Sequence, residues 1–344
     1  GEVIDTDPEA WMKAIQHDHL SESQWVKLKA LIISKADAFS KSKTEIGCCN
    51  YFKVDLPLKP NTPYLYNKQR PLAFKYKEIA AANIAELLAK GVIRPSKSPH
   101  ATNIVVVKKK TMHGIISYRV CIDLRSVNEH SIPNRFPNFW IDEAMSKLQG
   151  SEYRSTFDFK DAFHMMCLNE SSIPVTAFYF DNMLYEYVRV PFGHVCAMNA
   201  FCCLMAILCH GYEPASYYAD DLMITTQKVY TLTKEQLFDQ HLKDISGILD
   251  RIIHAGLKLV AHKCQWCYDS VKPMDWLGFT LENNLLKPQE AKIEAIKSFP
   301  VPKSCKQVLS FVSTGSFYRK LMPGYARIVQ PLFDIAYKEP FGWT

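Results

Sequence analysis

An α+β fold, with an antiparallel sheet packed on helices, is predicted by three features of the sequence. Short alternating runs come in hairpin-spaced pairs: residues 103–110 with 118–124, and residues 175–180 with 185–190 across a turn at Asp181-Asn182. Longer stretches carry helical periodicity, as at residues 75–90 and 234–255. A largely apolar helix over residues 198–209 leads into Ser216-Tyr217-Tyr218-Ala219-Asp220-Asp221-Leu222-Met223-Ile224, where two adjacent carboxylates separate two apolar runs.

In chain order, Trp25, Leu28 and Ile32 give residues 22–33 an amphipathic helical signal that carries no visible chemistry. Residues 55–71, rich in Pro, Asn and Lys, read as an extended segment. The helix at 75–90 places Ile79, Ala82, Ile84, Leu87 and Leu88 on its apolar side, and Gly91 closes it. A short helix is expected over residues 141–148, ended by Gly150, and Asp161 reads as the N-cap of a helix opening at Ala162-Phe163-His164-Met165. In the helix at 234–255, His241 reads as a surface or capping residue. Two further helices are expected over residues 291–299 and 305–321, parted by Pro300 and Pro302.

With 48% hydrophobic and 22% charged residues in 344, the composition is that of a globular chain with a sizeable core. The net charge of +6 suits an anionic partner without demanding one. The eleven cysteines lie in apolar segments such as Phe201-Cys202-Cys203-Leu204, which points to reduced, mostly buried thiols. Cys264-Gln265-Trp266-Cys267, near His262, has a zinc-like spacing but lacks a second Cys/His pair. The longest apolar run, residues 200–209, is about half of what spans a bilayer. The chain opens on Gly1 rather than Met, which suits a piece cut from a polyprotein.

A strand alternates faces residue by residue, so Asp220 and Asp221 cannot share a face inside one; they read as a hairpin turn. A turn can aim both into one cleft, where with a third acid they hold divalent metal. Asp158, in Ser155-Thr156-Phe157-Asp158-Phe159-Lys160-Asp161-Ala162-Phe163, interrupts a β-prone run. A charge is costly there unless it is paired or binds metal.

The Asp220-Asp221 turn, the earlier strand with Asp158 and the intervening Val190-Pro191-Phe192-Gly193 together resemble the reverse transcriptases of gypsy-type long-terminal-repeat retrotransposons, whose polyproteins are retrovirus-like. The resemblance covers roughly residues 45–344. It implies a right-hand polymerase: an N-terminal extension (1–50), fingers (51–135 and 166–196), palm (136–165 and 197–284) with the primer grip, and thumb with the start of the connection (285–344). Asp158, Asp220 and Asp221 become the catalytic ligands of two Mg2+ ions, replaceable by Mn2+. Lys109, Arg119, Phe163 and Phe192 become nucleotide-binding, Trp276, Leu277 and Gly278 the primer grip, and Lys263 either a general acid or a surface lysine.

Residues 108–110 suit a solubilising strand edge or a phosphate cradle, and the resemblance implies the cradle. The loop at 111–117 is longer than the family's. Phe163, a core aromatic when read alone, becomes the ring beneath the incoming sugar. From residue 285 onward nine Lys and Arg face four acids, which suits a grip on phosphates. The implied partners are an RNA or DNA template with primer and deoxynucleoside triphosphates, with ribonuclease H and integrase domains elsewhere in the polyprotein. The implied setting is cytoplasmic, within virus-like particles, or nuclear. Two alternatives stay open: a domesticated non-catalytic nucleic-acid-binding protein on the same fold, and an RNA-dependent RNA polymerase.

Overall fold

The computed structural model describes residues 10–110, 116–137, 141–337 and 342. The chain divides into two compact units, residues 1–267 and 268–344. The first opens on α1 (Glu22–Ser34), started by a capping box: Ser21 accepts from the Gln24 amide, and the Gln24 side chain returns to the Ser21 amide. α1 buries Leu28 and Ile32 in the same core as Phe39 and Trp266. α2 (Phe74–Ala89) buries Ala80, Ile84 and Leu87. Its inward face keeps the i, i+4, i+7 phase, so Ala82 and Leu88, expected inside, are exposed.

Then follow β1 (Ile93–Pro95), β2 (Thr102–Lys110), β3 (Ile116–Ile122), α3 (Arg125–His130), α4 (Ile141–Ser146), β4 (Ser151–Phe157), β5 (Phe178–Phe180), β6 (Met183–Tyr187), α5 (Ala197–Cys209), β7 (Ala215–Tyr218), β8 (Asp221–Gln227), α6 (Lys234–His254) and β9 (Gln265–Asp269). One sheet runs β1-β6-β5-β2-β3. Its two expected hairpins are present, and Asp181 and Asn182 both take positive φ (47° and 59°), as a tight hairpin turn requires. The hairpins join through a parallel contact of β2 with β5, Thr102 opposite Phe178, which hairpin spacing does not reveal. The expected strand from residue 175 begins only at Phe178. A 3-10 turn, Ile173–Thr176, takes its start because the buried Thr176 hydroxyl donates to the Ile173 carbonyl and accepts from the Tyr187 amide.

The second sheet runs β7-β8-β4-β9, with α5 packed on β7 and α6 on β4 and β8. Met223 and Ile224 of β8 are fully buried, as are Ile245, Ile248, Leu249 and Ile252 of α6. His241, expected at the surface, lies wholly inside. Its Nε2 accepts from the Ser155 hydroxyl of β4 at 2.8 Å, and its Nδ1–H donates to Thr226 Oγ1 of β8 at 2.8 Å. The chain of bonds closes at both ends, because Thr226 donates to Asp244 and the Cys267 amide donates to Ser155. A polar residue in the helix pattern is therefore buried: it bolts α6 to two strands with every ring nitrogen satisfied.

The second unit is a three-stranded antiparallel sheet, β10 (Met274–Trp276), β11 (Phe279–Glu282) and β12 (Leu285–Pro288), followed by α7 (Glu290–Lys297), α8 (Cys305–Ser316) and α9 (Tyr325–Ala336). The helix expected over 305–321 ends at Ser316, and α9 was not anticipated. Gly324, at φ 70°, turns the chain so that Val329 and Ala336 of α9 pack on Val308 and Val312 of α8. No helix among the described residues is long and apolar enough to cross a membrane.

Burial holds His241 down at about 3, and His164 and His194 at about 4. These folded values lie below the unfolded one, so the unfolded chain binds protons first as pH falls. Stability is full above about pH 6.5 and is lost progressively towards pH 4, by about 2 kcal/mol per histidine at pH 5. Urea unfolding at pH 7 and pH 5 measures it. His241→Ala is expected to cost about 2–4 kcal/mol at pH 7, from a cavity and two hydroxyls deprived of a partner, and to flatten the pH dependence.

Candidate active site

The site starts from strand register. β4 and β8 pair as far as Phe157 opposite Leu222, so Asp158, which follows the last residue of β4, and Asp221, which precedes Leu222, lie at the same end of the strand pair. β8 returns from β7 through a two-residue turn, Ala219-Asp220, in which Ala219 takes a left-handed φ of 54°. Asp220 thus lies in the turn, while Asp221, expected there too, is the first residue of β8, paired with Tyr218. On the other side, the Asp158 carbonyl accepts from the Val260 amide and Lys160 bonds to Lys258, so residues 258–260 run beside 158–160. That alignment brings Lys263 from the turn Ala261–Lys263 to 3.8 Å from Asp158 Oδ1.

The three carboxylates act on one another electrostatically. Desolvation raises the Asp158 carboxyl above its usual range, and Asp220 adds to the rise while Lys263 and His262 oppose it. Asp221 is pushed up to about 6, by desolvation first and then by repulsion from Asp220 and Asp158. Such a set is short of positive charge. Among the described residues no three His, Cys, Asp or Glu side chains form a closed metal-binding cluster. The donor chemistry nevertheless fits a hard divalent cation, which favours carboxylate oxygens and relieves this repulsion.

A second group gathers around Phe163 on the turn Ala162–Met165. The half-buried Phe163 ring meets Phe192 edge-on at 5.2 Å and Phe201 at 5.9 Å, and the Arg119 guanidinium of β3 sits 6.0 Å from the Phe192 ring. Three of the four residues expected at the nucleotide therefore come together. The fourth, Lys109, pairs with Ser117 in the β2–β3 ladder, and its side chain lies outside the described residues, as do residues 111–115 of the long loop.

Asp161 does not cap the turn with its side chain as expected. It sits at φ 49° and pairs with Lys90 Nζ of the α2 C-terminus at 2.8 Å; the same ammonium, almost buried, holds Glu86. Burial acts to raise the Asp161 carboxyl, but the bond and charge of Lys90 outweigh it and hold the carboxyl below its usual range. Arg189 holds the turn from the other side, donating to the carbonyls of Gly47, His164 and Met165. Neither Lys90 nor Arg189 stands out in sequence, since each acts through partners far along the chain.

Trp276, Leu277 and Gly278 belong to the second unit. Leu277 and Gly278, at φ 49° and 79°, form the turn between β10 and β11, and the Gly278 carbonyl accepts from Gln289 and from the Tyr318 hydroxyl. Trp276 is buried, and its indole N–H has no acceptor among the described residues. The Cys264/Cys267 pair is buried, with both thiols pushed up to about 12 by burial, as inert core thiols are.

Residues 107–281, which hold every site residue predicted from sequence, match the family described as reverse transcriptase (RNA-dependent DNA polymerase). The chain belongs to the reverse transcriptase family. The Pol polyprotein of transposon 297 from Drosophila melanogaster is 33% identical over 318 residues, which is 92% of this chain and 29% of that polyprotein. That of transposon gypsy, from the same organism, is 28% identical over 90% of this chain and 29% of its own length. The chain thus spans under a third of these relatives.

Among solved structures, a foamy viral protease-reverse transcriptase in complex with double-stranded DNA superposes with a TM-score of 0.80 at 20% identity, over 94% of this chain and 55% of that one. A foamy viral protease-reverse transcriptase with an RNA/DNA hybrid gives 0.77, also at 20%, over 94% and 42%. The gypsy-type resemblance and the α+β right-hand polymerase fold are both borne out.

The Lys90 contact has a measurable consequence. Lys90→Met is expected to lower the unfolding free energy by about 1–3 kcal/mol, because Asp161 keeps its charge in a half-buried place without a partner. In a double-mutant cycle, adding Asp161→Asn should cost little further. Urea denaturation of the four proteins gives the coupling, and additive losses would show that the pair does not hold the turn.

Proposed function

We propose that this reverse transcriptase domain copies RNA and DNA templates into DNA by two-metal nucleotidyl transfer. The observation that supports this most is the register that brings Asp158 and Asp221 to one end of the β4–β8 pair beside the Asp220 turn, with Phe163 on the turn just after Asp158, Phe192 against its ring and Arg119 beyond. Held by the three carboxylates, two Mg2+ or Mn2+ ions would supply Lewis acidity towards the primer 3′-hydroxyl and the triphosphate.

The chain's own residues do the rest. Arg119, with Lys109, offsets the charge of the triphosphate. Lys263, beside Asp158, carries a proton on Nζ for the leaving pyrophosphate. Phe163, held by Phe192 and Phe201, sits under the sugar and leaves no room for a 2′-hydroxyl, so deoxynucleotides are chosen by exclusion. The fingers (51–135 and 166–196), palm (136–165 and 197–284) and thumb (from 285) divide these tasks. The thumb region's nine basic residues against four acids grip the primer-template duplex through phosphates, and Trp276, Leu277 and Gly278 hold the primer end. The foamy viral complexes with double-stranded DNA and RNA/DNA hybrid are in keeping with such a substrate. Ribonuclease H and integrase activities would belong to other parts of a polyprotein, acting within virus-like particles.

Asp158→Asn should lower primer extension on either template by at least about 100-fold while primer-template affinity stays within about twofold, since the phosphate grip lies elsewhere. Extension near the wild-type rate would remove Asp158 from the chemistry. Phe163→Ala should lower the ratio of kcat/KM for deoxynucleotides over ribonucleotides by at least about tenfold, the size of one steric contact. An unchanged ratio in an active variant would return Phe163 to a packing role and favour the RNA polymerase alternative.

A further inference from the structure

Outside the active site, one pair of side chains is placed for covalent chemistry. Residues 47–54 form a strap bound by backbone on two sides. Cys48 N–H donates to Gly256 and Asn50 N–H to Ala255, while Cys49 N–H donates to Met165 and Val54 N–H to Cys167. The strap has no slack: a Cβ on Gly256, at φ 74°, would come within 2.3 Å of the Cys48 carbonyl, and one on Gly47 within 2.7 Å of the Gly256 carbonyl. So held, Cys48 Sγ lies 3.1 Å from Cys167 Sγ, 119 residues away in sequence. Cys48 is the one exposed cysteine of the eleven, whereas Cys167 is partly covered. Cys167 stands two residues after the turn Ala162–Met165 that carries Phe163.

We propose that Cys48 and Cys167 are a redox-active dithiol that a hydroperoxide converts to a disulfide, pinning the strap to the segment behind Phe163. The exposed Cys48 sulfur, having released its proton, attacks the peroxide O–O bond and takes one oxygen as a sulfenic acid, while the other leaves as hydroxide and takes up that proton to become water. The Cys167 sulfur then attacks the sulfenic sulfur, the S–O bond breaks, and the hydroxide departs with the Cys167 proton as a second water. Two thiols and one hydrogen peroxide give one disulfide and two waters. Burial and then the bond to Cys48 push the Cys167 thiol up to about 11, so Cys167 stays protonated and takes the resolving part. The sulfurs need approach by only about 1 Å to reach bonding distance. This assignment does not depend on the polymerase reading, because its readouts involve no catalysis.

The test treats the reduced full chain with one equivalent of hydrogen peroxide, blocks remaining thiols with iodoacetamide, and maps peptides without reduction. The expected result is a Cys48–Cys167 cross-link, two of the eleven thiols lost, and a thermal midpoint raised by about 5–10 °C, reversed by dithiothreitol. In Cys167→Ser the sulfenic acid should persist at Cys48 and react with dimedone, and Cys48→Ser should show neither product. Eleven free thiols after treatment, cross-links scattered over other cysteines, or a lasting sulfenic acid in the wild type would each overturn the proposal. The wild-type map decides alone if a serine variant does not fold.

Discussion

The structure turns on holding like charges together. Asp158 and Asp221 are raised by desolvation and by the neighbouring carboxylates, so nothing in their own energetics favours the arrangement. It persists because the sheet behind it is over-determined. Leu222, Met223 and Ile224 of β8 have no exposure, so the strand is packed on both faces and a slip against β4 would forfeit close-packed contacts on each. The His241 network fixes the same register by another means, since its ring reaches one hydroxyl on each strand. Stability lost by the carboxylates is offset by the core beneath, which leaves a cluster poised for cations.

The parts legible in sequence were those written in local pattern. Asp158 and the Asp220-Asp221 pair were visible because a charge inside an apolar run has few structural uses. The hairpins were visible from alternation and from Asp181-Asn182, whose positive φ values those residue types tolerate. Phe163 and Phe192 read as functional only through family resemblance, since a lone Phe is usually core. The structure places the two rings 5.2 Å apart, with Arg119 beyond.

What was hidden depends on partners far away in the chain. The parallel pairing of β2 with β5 joins residues more than seventy apart, and no periodicity encodes it. Asp161 looked like a helix cap because Asp before a helical run often is one. Its carboxylate instead goes to Lys90, where an ion pair in a half-buried place outcompetes a single amide. His241 looked like a surface residue because polar side chains in helices usually are, and only the hydroxyls of Ser155 and Thr226 make its burial affordable. α9 is hard to see in sequence because Gly and Pro ordinarily interrupt helices; here Gly324 is the N-cap, and packing on α8 outweighs Pro331 inside the helix.

Together the three carboxylates are proposed to act as one cation-binding unit. Its most direct measurement is the number of Mn2+ ions bound by the chain, read by electron paramagnetic resonance, in complex with primer-template and a non-hydrolysable deoxynucleoside triphosphate. Two bound ions are expected in the wild-type protein and fewer in Asp158→Asn at equal nucleic-acid occupancy. The same stoichiometry and affinity in both proteins would contradict it.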